Sequence, residues 1–260
     1  MKIGKSSRGR TSISTADEHS ITVRGHDLTE DLIGKLSFGE FFFLLTAGQL
    51  PNENQRFFLD ALLIAIAEHG LTPSVQAARM TLAAGPDAFQ GAVAAGILGC
   101  GSVVLGTAEH CATLLRRAAS AVAQRPEEDD DEVVLGLTRE LHERGERLPG
   151  FGHPLHRPTD PRSVRLLALA DERNVSGLHV DLLRRFERAA ETVWKKHLVL
   201  NVSGPIAAIL LDLDFPEAAI KGIPILARTA GIIGHLTEER KAPIGFVLSG
   251  KATEAITFEE

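Results

Sequence analysis

The 260-residue sequence is poor in aromatic residues and cysteine, and it has no long apolar run. Aromatic residues make up 5% of the chain, and its two cysteines, Cys100 and Cys111, are too few for a disulfide scaffold. The longest apolar stretches, around 59–67 and 204–211, are shorter than the roughly 18 residues that a membrane span needs. The first residues mix Lys and Arg with Ser and Thr, unlike a signal peptide. We therefore expect a cytoplasmic protein with reduced thiols that does not contact a membrane.

Motifs for metals and nucleotide cofactors are also missing. No Cys/His spacing predicts a metal site, and no Walker-type or Gly-x-Gly-x-x-Gly loop predicts a site for ATP or a nicotinamide. The formal charge of −6 gives no general attraction to nucleic acid. We expect no metal, no nucleotide cofactor and no nucleic-acid partner, and an anionic ligand would need a local basic pocket.

The apolar residues that are present recur mainly at helical spacing. This pattern begins near Leu28, and the alternation typical of β-strands is nearly absent. Ser37 followed by Glu40 predicts a capping box at one helix start, and Gly48 predicts the end of that helix. The sequence therefore predicts an all-α fold of about ten helices, with short strands at the two ends at most.

The chain divides by composition into an arm and one domain. Residues 1–20 are polar and are interpreted as an N-terminal arm, with a short hairpin through Ile13 and Ile21 to Val23. Residues 21–260 are long enough to bury a core and are expected to form a single domain.

A helical protein builds binding sites from polar residues at helix ends and on facing helices. His69 ends a long apolar helix, where it either caps the helix or contacts a ligand. Arg228 is a single arginine inside an apolar helix, and a buried guanidinium needs an anionic partner such as a bound carboxylate. Residues 201–205 (Asn-Val-Ser-Gly-Pro) form a polar turn that opens another apolar helix.

Residues 147–162 contain four prolines, two glycines, two histidines and three arginines. The prolines and glycines fix an irregular backbone, whose exposed N–H and C=O groups can contact a nucleotide ring. Arg162, at the start of the next helix, can bind a carboxylate through two parallel hydrogen bonds. The segment predicts a binding loop, and a solvated proline-rich loop is the alternative.

In order and in sequence these segments resemble the citrate synthase superfamily, from about residue 20 onward. The most specific match is Pro-Gly-Phe-Gly-His at 149–153 followed by Asp-Pro-Arg at 160–162. Ala-Arg-Thr-Ala-Gly at 227–231 is similar to an arginine-bearing helix of the family, and Glu-His-Gly at 68–70 lies where the family has Asp-His-Glu. In its small size the chain resembles the citryl-CoA lyase branch of the family, which includes the homologous module of ATP-citrate lyase.

The resemblance implies a citrate synthase-like helical bundle with a large and a small subdomain, the small one at roughly 149–200, and a homodimer with shared sites. It also implies two sets of binding residues. The oxaloacetate-derived half of the substrate would be bound by His69, His153, Arg162 and Arg228. The adenine of coenzyme A would contact Pro149, Gly150, Phe151 and Gly152.

Two catalytic residues of the family are replaced in this chain. Val104 stands where the family has a histidine that polarises the thioester carbonyl, and it cannot donate a hydrogen bond. Ser203 stands where the family has the aspartate that removes the α-proton of acetyl-CoA, and an unassisted hydroxyl is a poor base. Besides His69 and His153, the catalytic candidates are Ser203 itself and His110, about 9 Å along the helix from Val104.

The resemblance implies cleavage of a carbon–carbon bond in an acyl-CoA, with the coenzyme A thioester as substrate. The reaction would split citryl-CoA into acetyl-CoA and oxaloacetate, or act on a related 3-hydroxy-3-carboxyacyl-CoA, with histidines donating to the hydroxyl or ketone oxygen. Two alternatives stay open. One is condensation of acetyl-CoA with a 2-oxo acid by a different acid–base pair, and the other is a non-catalytic protein that binds a dicarboxylate or coenzyme A.

Overall fold

A computed structural model describes residues 9–101 and 105–259 of the chain. The chain forms two compact units that divide after Asp60. Helices make up most of the described residues, so the predicted all-α class is confirmed. None of the described helices has the length and apolar composition needed to cross a membrane.

The first unit opens with a small antiparallel sheet in the order β1-β2-β3. Its strands are β1 (Ser14–Ala16), β2 (Ile21–Val23) and β3 (His26–Asp27). The predicted hairpin is therefore present, with Thr15 opposite Thr22. Arg24 and Gly25 join β2 to β3 with positive φ angles of 50° and 87°, as a type I′ turn requires.

A one-turn π-helix (Leu28–Leu32) and helix α1 (Phe38–Ala47) follow the sheet. Ser37 and Glu40 form the predicted capping box at the start of α1, and Gly48 ends the helix with a left-handed φ of 79°. Val23, Leu32 and Leu44 form the small core of this unit.

Helix α2 (Glu53–Ala67) leads into the second unit. The helices of that unit are α3 (Pro73–Ala84), α4 (Phe89–Leu98), α5 (Thr107–Gln124), α6 (Asp130–Glu143), α7 (Pro161–Glu172), α8 (Leu178–Trp194), α9 (Ser203–Asp212), α10 (Gly222–Glu239) and α11 (Gly245–Ala255), with a 3₁₀ turn at Glu217–Ala219.

The apolar periodicity of the sequence predicts helices at about 103–123 and 178–197 and none after 239, and the structure corrects each of these three predictions. The helix predicted at 103–123 begins only at Thr107, because Leu105 has a φ of 73° that a right-handed helix does not allow. Residues 102–104, which include Val104, lie outside the described residues. The helix predicted at 178–197 ends at Trp194, because Lys195 is left-handed. The C-terminal end carries helix α11 rather than a strand, which gives eleven α-helices within 9–101 and 105–259.

Helix α9 forms the buried centre of the second unit. All of its residues from Ser203 to Leu211 are buried, and it packs against α5, α7 and α8. A second group is formed by α3, α4 and α10, which enclose a core that includes Val75, Leu82 and Ile232. Helix α9 begins at a polar turn, and α10 runs beside one. This packing therefore places several polar segments around one cavity.

Candidate active site

A cavity of about 1000 Å³ lies in the second unit. Its wall is built from the end of α2, the start of α5, the loop before α7, the start of α9 and the middle of α10. All ten residues to which the sequence assigned a site role line this cavity: His69, His110, Pro149, Gly150, Phe151, Gly152, His153, Arg162, Ser203 and Arg228. The structure brings them together, and their individual roles stay predictions.

Backbone pairing fixes the loop that carries the family motif against the start of α9. The N–H of Gly152 donates to Val199 O at 2.7 Å, and the N–H of Asn201 donates to Gly150 O at 2.9 Å. Gly150 has a φ of 86°, and a Cβ there would lie 3.2 Å from the Cα of Gly204. A side chain at this position would be strained and crowded, so the glycine allows the loop to reach α9.

The imidazoles of His69 and His153 meet edge to face, with ring centroids 5.4 Å apart. Burial lowers the pKa of both rings, and neighbouring side chains lower it further, first among them Arg162 for His69 and His156 for His153. Both rings are therefore neutral near pH 7. A neutral imidazole offers one N–H donor and one acceptor, as acid–base chemistry requires.

Hydrogen-bond donors flank both nitrogens of the His153 ring. Nδ1 accepts from the backbone N–H of Leu155 at 3.1 Å and of His156 at 2.9 Å. Nε2 lies 3.3 Å from Arg162 Nη2, which can only donate, and 4.0 Å from Asp160 Oδ2. A neutral ring has one proton, so Nε2 carries it and donates to a ligand oxygen only when the Arg162 N–H points elsewhere.

Asp160 forms a bidentate ion pair with Arg162. Nε of Arg162 donates to Oδ1 at 3.0 Å and Nη2 donates to Oδ2 at 2.8 Å. Asp160 is fully buried, and burial alone would raise its pKa, but the hydrogen bonds and charge of Arg162 outweigh this and keep the pKa below its usual value. The same carboxylate accepts the N–H of Val202 at 3.2 Å, which ties the start of α7 to the start of α9.

The environment of Arg228 differs from that of Arg162. Arg228 is 4% exposed, and its Nε and Nη1 atoms are buried without a hydrogen-bond partner in the part of the chain that the structure describes. Burial lowers the pKa of this guanidinium, while the charge of Glu68 acts in the other direction. A buried cation with two unsatisfied donor nitrogens is costly, so the side chain is suited to binding an anion.

The Ser203 hydroxyl is hydrogen-bonded to the Thr107 hydroxyl at 2.7 Å. Its own N–H donates to Asn201 Oδ1 at 3.0 Å, and Nδ2 of Asn201 donates to Gly152 O at 2.9 Å. The position at which the family carries its carboxylate base is therefore occupied by a neutral pair of hydroxyls.

The cavity wall carries a strong excess of positive charge. Four permanently cationic side chains line it: Arg147, Lys196, Arg162 and Arg228. No carboxylate side chain is among the described lining residues. Such a cavity favours a ligand with several negative charges over a cation.

Sequence reasoning missed several lining residues. Lys196, Trp194 and Thr107 are single polar or amphipathic residues at helix ends, and no motif marked them. From the sequence, His156 is expected to be a structural or loop polar group; outside the cavity lining, its ring lies 4.3 Å from that of His153 and 5.2 Å from that of His69. Two histidines three residues apart in a glycine- and proline-rich loop were the signal for this cluster.

The three imidazoles of His69, His153 and His156 offer nitrogen atoms within 4.8 Å of one another, so they could hold a metal ion. The surroundings fit a metal poorly, because Arg162 Nη2 lies 3.3 Å from His153 Nε2 and no carboxylate among the described lining residues balances the charge. The expected absence of a metal stays a prediction.

Comparison with known proteins identifies the family. The protein-family model of the citrate synthase C-terminal domain matches residues 53–245 of this chain. A citrate synthase-like protein of Aspergillus oryzae is 29% identical over 232 residues, which are 84% of this chain and 49% of that protein. A putative citrate synthase of Mycobacterium tuberculosis is 29% identical over 196 residues, or 70% and 47% of the two chains. The chain thus spans about half the length of these curated relatives.

Solved structures give a similar result over the full chain. The citryl-CoA lyase of Hydrogenobacter thermophilus superposes with a TM-score of 0.84 at 28% identity, covering 97% of this chain and 94% of that one. The ATP citrate lyase of Methanothrix soehngenii, solved with citrate and coenzyme A, shares the fold with a TM-score of 0.79 at 23% identity over 99% and 42% of the two chains. The chain therefore belongs to the citrate synthase family and, within it, to the citryl-CoA lyase-like branch.

Proposed function

We propose that the protein cleaves citryl-CoA, or a related 3-hydroxy-3-carboxyacyl-CoA, into an acyl-CoA and a 2-oxo acid. The observation that carries this proposal is the buried guanidinium of Arg228, whose Nε and Nη1 lack a hydrogen-bond partner among the described residues, in a cavity lined by cations and by His69 and His153. A carboxylate of the substrate would provide the missing partner. Similarity to a citryl-CoA lyase along almost the whole chain supports the same reaction.

In this proposal, Arg228 and Arg162 bind the carboxylates of the citryl group and orient it. Asp160 holds Arg162 in place. The backbone from Pro149 to Gly152 contacts the adenine of coenzyme A. The cationic side chains Arg147 and Lys196 offer charge for its phosphates.

The chemical step would be a retro-aldol cleavage. Neutral His69 accepts the proton of the tertiary hydroxyl, the bond between the carbinol carbon and the thioester-bearing CH₂ breaks, and its electron pair passes to the thioester as an enolate. The hydroxyl carbon becomes the ketone of the 2-oxo acid, and a hydrogen bond from the His153 ring stabilises the charge on that oxygen. Protonation of the enolate carbon completes the acyl-CoA, and His110 and Ser203 are the candidate donors in the cavity wall.

We also propose a subdomain division, an assembly and a cellular location. Residues 149–200 would form the small subdomain, the protein would be a homodimer with shared sites, and it would work in the cytoplasm. These expectations rest on the family resemblance.

The test is incubation with synthetic citryl-CoA and a panel of related thioesters, followed by measurement of the 2-oxo acid that is released. We expect release from at least one thioester, and a loss of rate of about 100-fold or more in the His153→Ala variant. Absence of a 2-oxo acid across the whole panel would contradict the proposal.

The hydrogen-bonded hydroxyls of Ser203 and Thr107 favour a second candidate, a protein that binds the dicarboxylate and coenzyme A without turnover. In that case calorimetry detects binding of oxaloacetate or coenzyme A, the Arg228→Met variant loses the oxaloacetate signal, and no thioester of the panel is cleaved. Condensation by another acid–base pair would instead show as exchange of the α-protons of acetyl-CoA with solvent when an oxaloacetate analogue is present.

A further inference from the structure

One face of α10 touches the turn that follows α2. Arg228, Gly231 and His235 lie three and then four residues apart, so they share this face. At Gly231 the two backbones meet closely, since a Cβ there would lie 2.1 Å from Ala67 O. The helix that places Arg228 in the cavity wall thus also contacts the segment that carries His69.

Glu68 connects this face of α10 to the backbone of His69. Its Oε1 accepts the N–H of His69 at 2.8 Å and the N–H of Gly70 at 2.5 Å. Its Oε2 lies 3.1 Å from Nε2 of His235. The two oxygens of one carboxylate therefore hold the turn on one side and α10 on the other.

The tautomer of His235 is set by Arg79. Nη1 of Arg79 lies 3.2 Å from His235 Nδ1, and because a guanidinium only donates, Nδ1 must accept. The proton of the neutral His235 ring is then on Nε2, where it is donated to Glu68. Arg79 is itself 2% exposed and is fixed by Glu239 at 2.6 Å and Glu238 at 2.7 Å.

Burial alone does not fix the Glu68 side chain. The Glu68 side chain is 48% exposed, whereas the His235 side chain is 16% exposed. Without the His235 N–H, the Glu68 carboxylate would be free to turn into solvent. The N–H groups of His69 and Gly70 would then lose their acceptor, and the backbone that aims the His69 ring at His153 would loosen.

We propose that Glu68 and His235 are positioning residues, which act through the backbone of His69 to hold its imidazole against His153. The hydrogen bonds run from Arg79 to His235, from His235 to Glu68, and from the backbone N–H groups of His69 and Gly70 to Glu68. The effect of this positioning on catalysis rests on the proposed function. The effect on the His69 ring does not.

The test compares His235→Leu with His235→Gln. Leucine removes both hydrogen bonds, whereas the glutamine amide can accept from Arg79 and donate to Glu68. The first measurement is the ¹H–¹⁵N spectrum of the histidine rings, in which the His69→Gln variant identifies the His69 signals. We expect His235→Leu to shift and broaden the His69 signals and His235→Gln to restore them.

The second measurement is citryl-CoA cleavage. We expect kcat to fall on the order of 10-fold in His235→Leu and in Glu68→Gln, with a smaller change in KM, and to recover in His235→Gln. Glu68→Gln keeps the shape of the side chain, but its NH₂ group must face either the backbone N–H groups of His69 and Gly70 or the Nε2–H of His235. In both cases two donors meet and a hydrogen bond is lost.

Val75→Ala serves as the control, because Val75 is fully buried in the α3–α10 core and contacts neither Glu68 nor His69 through a hydrogen bond. This variant should lower Tm without moving the His69 signals. Unchanged His69 signals in His235→Leu, or an equal change in Val75→Ala, would overturn the positioning proposal. A wild-type protein that cleaves no thioester contradicts the proposed function instead, and the ring spectra still decide the positioning.

Discussion

The hydroxyl of Ser203 lies 2.7 Å from the hydroxyl of Thr107, at the first turns of two helices that face the same cavity. Condensing members of the family carry a carboxylate base at the position of Ser203. A pair of hydroxyls cannot remove a carbon-bound proton near neutral pH. Cleavage of a β-hydroxy thioester begins instead with the more acidic hydroxyl proton, which a neutral imidazole accepts. The pair is therefore compatible with the lyase direction and opposes enolisation of acetyl-CoA.

Restoring the carboxylate should restore that missing step. We predict that Ser203→Asp exchanges the α-protons of acetyl-CoA about 100-fold faster than the wild type, because a positioned general base contributes at least this much. The start of α9 favours a negative charge at this position. Mass spectrometry of acetyl-CoA in D₂O with an oxaloacetate analogue measures the exchange. Ser203→Asn is the uncharged control, and an equal rate in both variants would count against the prediction.

Arg228 should contribute to binding at the expense of stability. Replacing it with Met removes a buried charge that has no hydrogen-bond partner on two of its nitrogens among the described residues. We predict that Arg228→Met leaves the free energy of unfolding unchanged or raises it by about 1 kcal/mol. Its affinity for oxaloacetate should fall roughly 30-fold or more, ~2 kcal/mol. Urea unfolding and calorimetry measure the two effects, and a large loss of stability would show that the charge has an unrecognised partner.

Asp160 should matter far more to the fold than an exposed carboxylate. Asp160→Asn breaks its ion pair with Arg162 and weakens the bond to the N–H of Val202. We predict a loss of about 3 kcal/mol in the free energy of unfolding, because the partner charge is left half-buried and unpaired. Asp181→Asn, which removes a surface pair with Arg185, is the control and should cost less than about 1 kcal/mol. Similar losses in both variants would contradict the buried-pair argument.

Local sequence signals predicted much of the fold. The Ser37–Glu40 capping box and the left-handed Gly48 are set by neighbouring residues, and both are present in the structure. The start of α5 was predicted wrongly, because the positive φ of Leu105 depends on the surrounding structure and leaves no mark in the apolar periodicity. Helix α11 was missed because its large apolar residues, such as Phe246, are exposed and do not form a buried stripe.

The candidate site was predictable where chemistry restricts the sequence. A single arginine in an apolar helix indicated the burial of Arg228, and the glycine-rich motif indicated the loop around His153. The link from Arg79 through His235 to Glu68 was not predictable, since it joins α3 and the turn after α2 to α10, where His235 lies 156 residues from Arg79 in the sequence. Such contacts depend on packing, and spacing along the chain does not reveal them.

The lowered pKa of His69 should appear in the pH dependence of stability. Burial and the charge of Arg162 lower its pKa below the usual 6.5, so between the folded pKa and 6.5 the unfolded chain binds more protons. Stability is therefore constant above 6.5 with respect to this group and falls as pH decreases through that window. We predict that His69→Gln loses less stability than the wild type between pH 7 and 5, as measured by urea unfolding. Parallel curves for the two proteins would contradict the prediction.

The close approach at Gly231 should be sensitive to a single methyl group. A Cβ at this position would lie 2.1 Å from Ala67 O and 3.0 Å from Glu68 Oε2, and the carbonyl is backbone that cannot move without displacing the turn. We predict that Gly231→Ala lowers the free energy of unfolding by about 2 kcal/mol and weakens oxaloacetate binding, because α10 and the His69 turn are forced apart. Gly234→Ala is the matched control on the same helix, since no atom lies within 4 Å of a Cβ there. That variant should be as stable as the wild type or more so, because alanine favours the helix. If Gly231→Ala behaves like Gly234→Ala in unfolding and in binding, the contact between α10 and the His69 turn does not hold the site together.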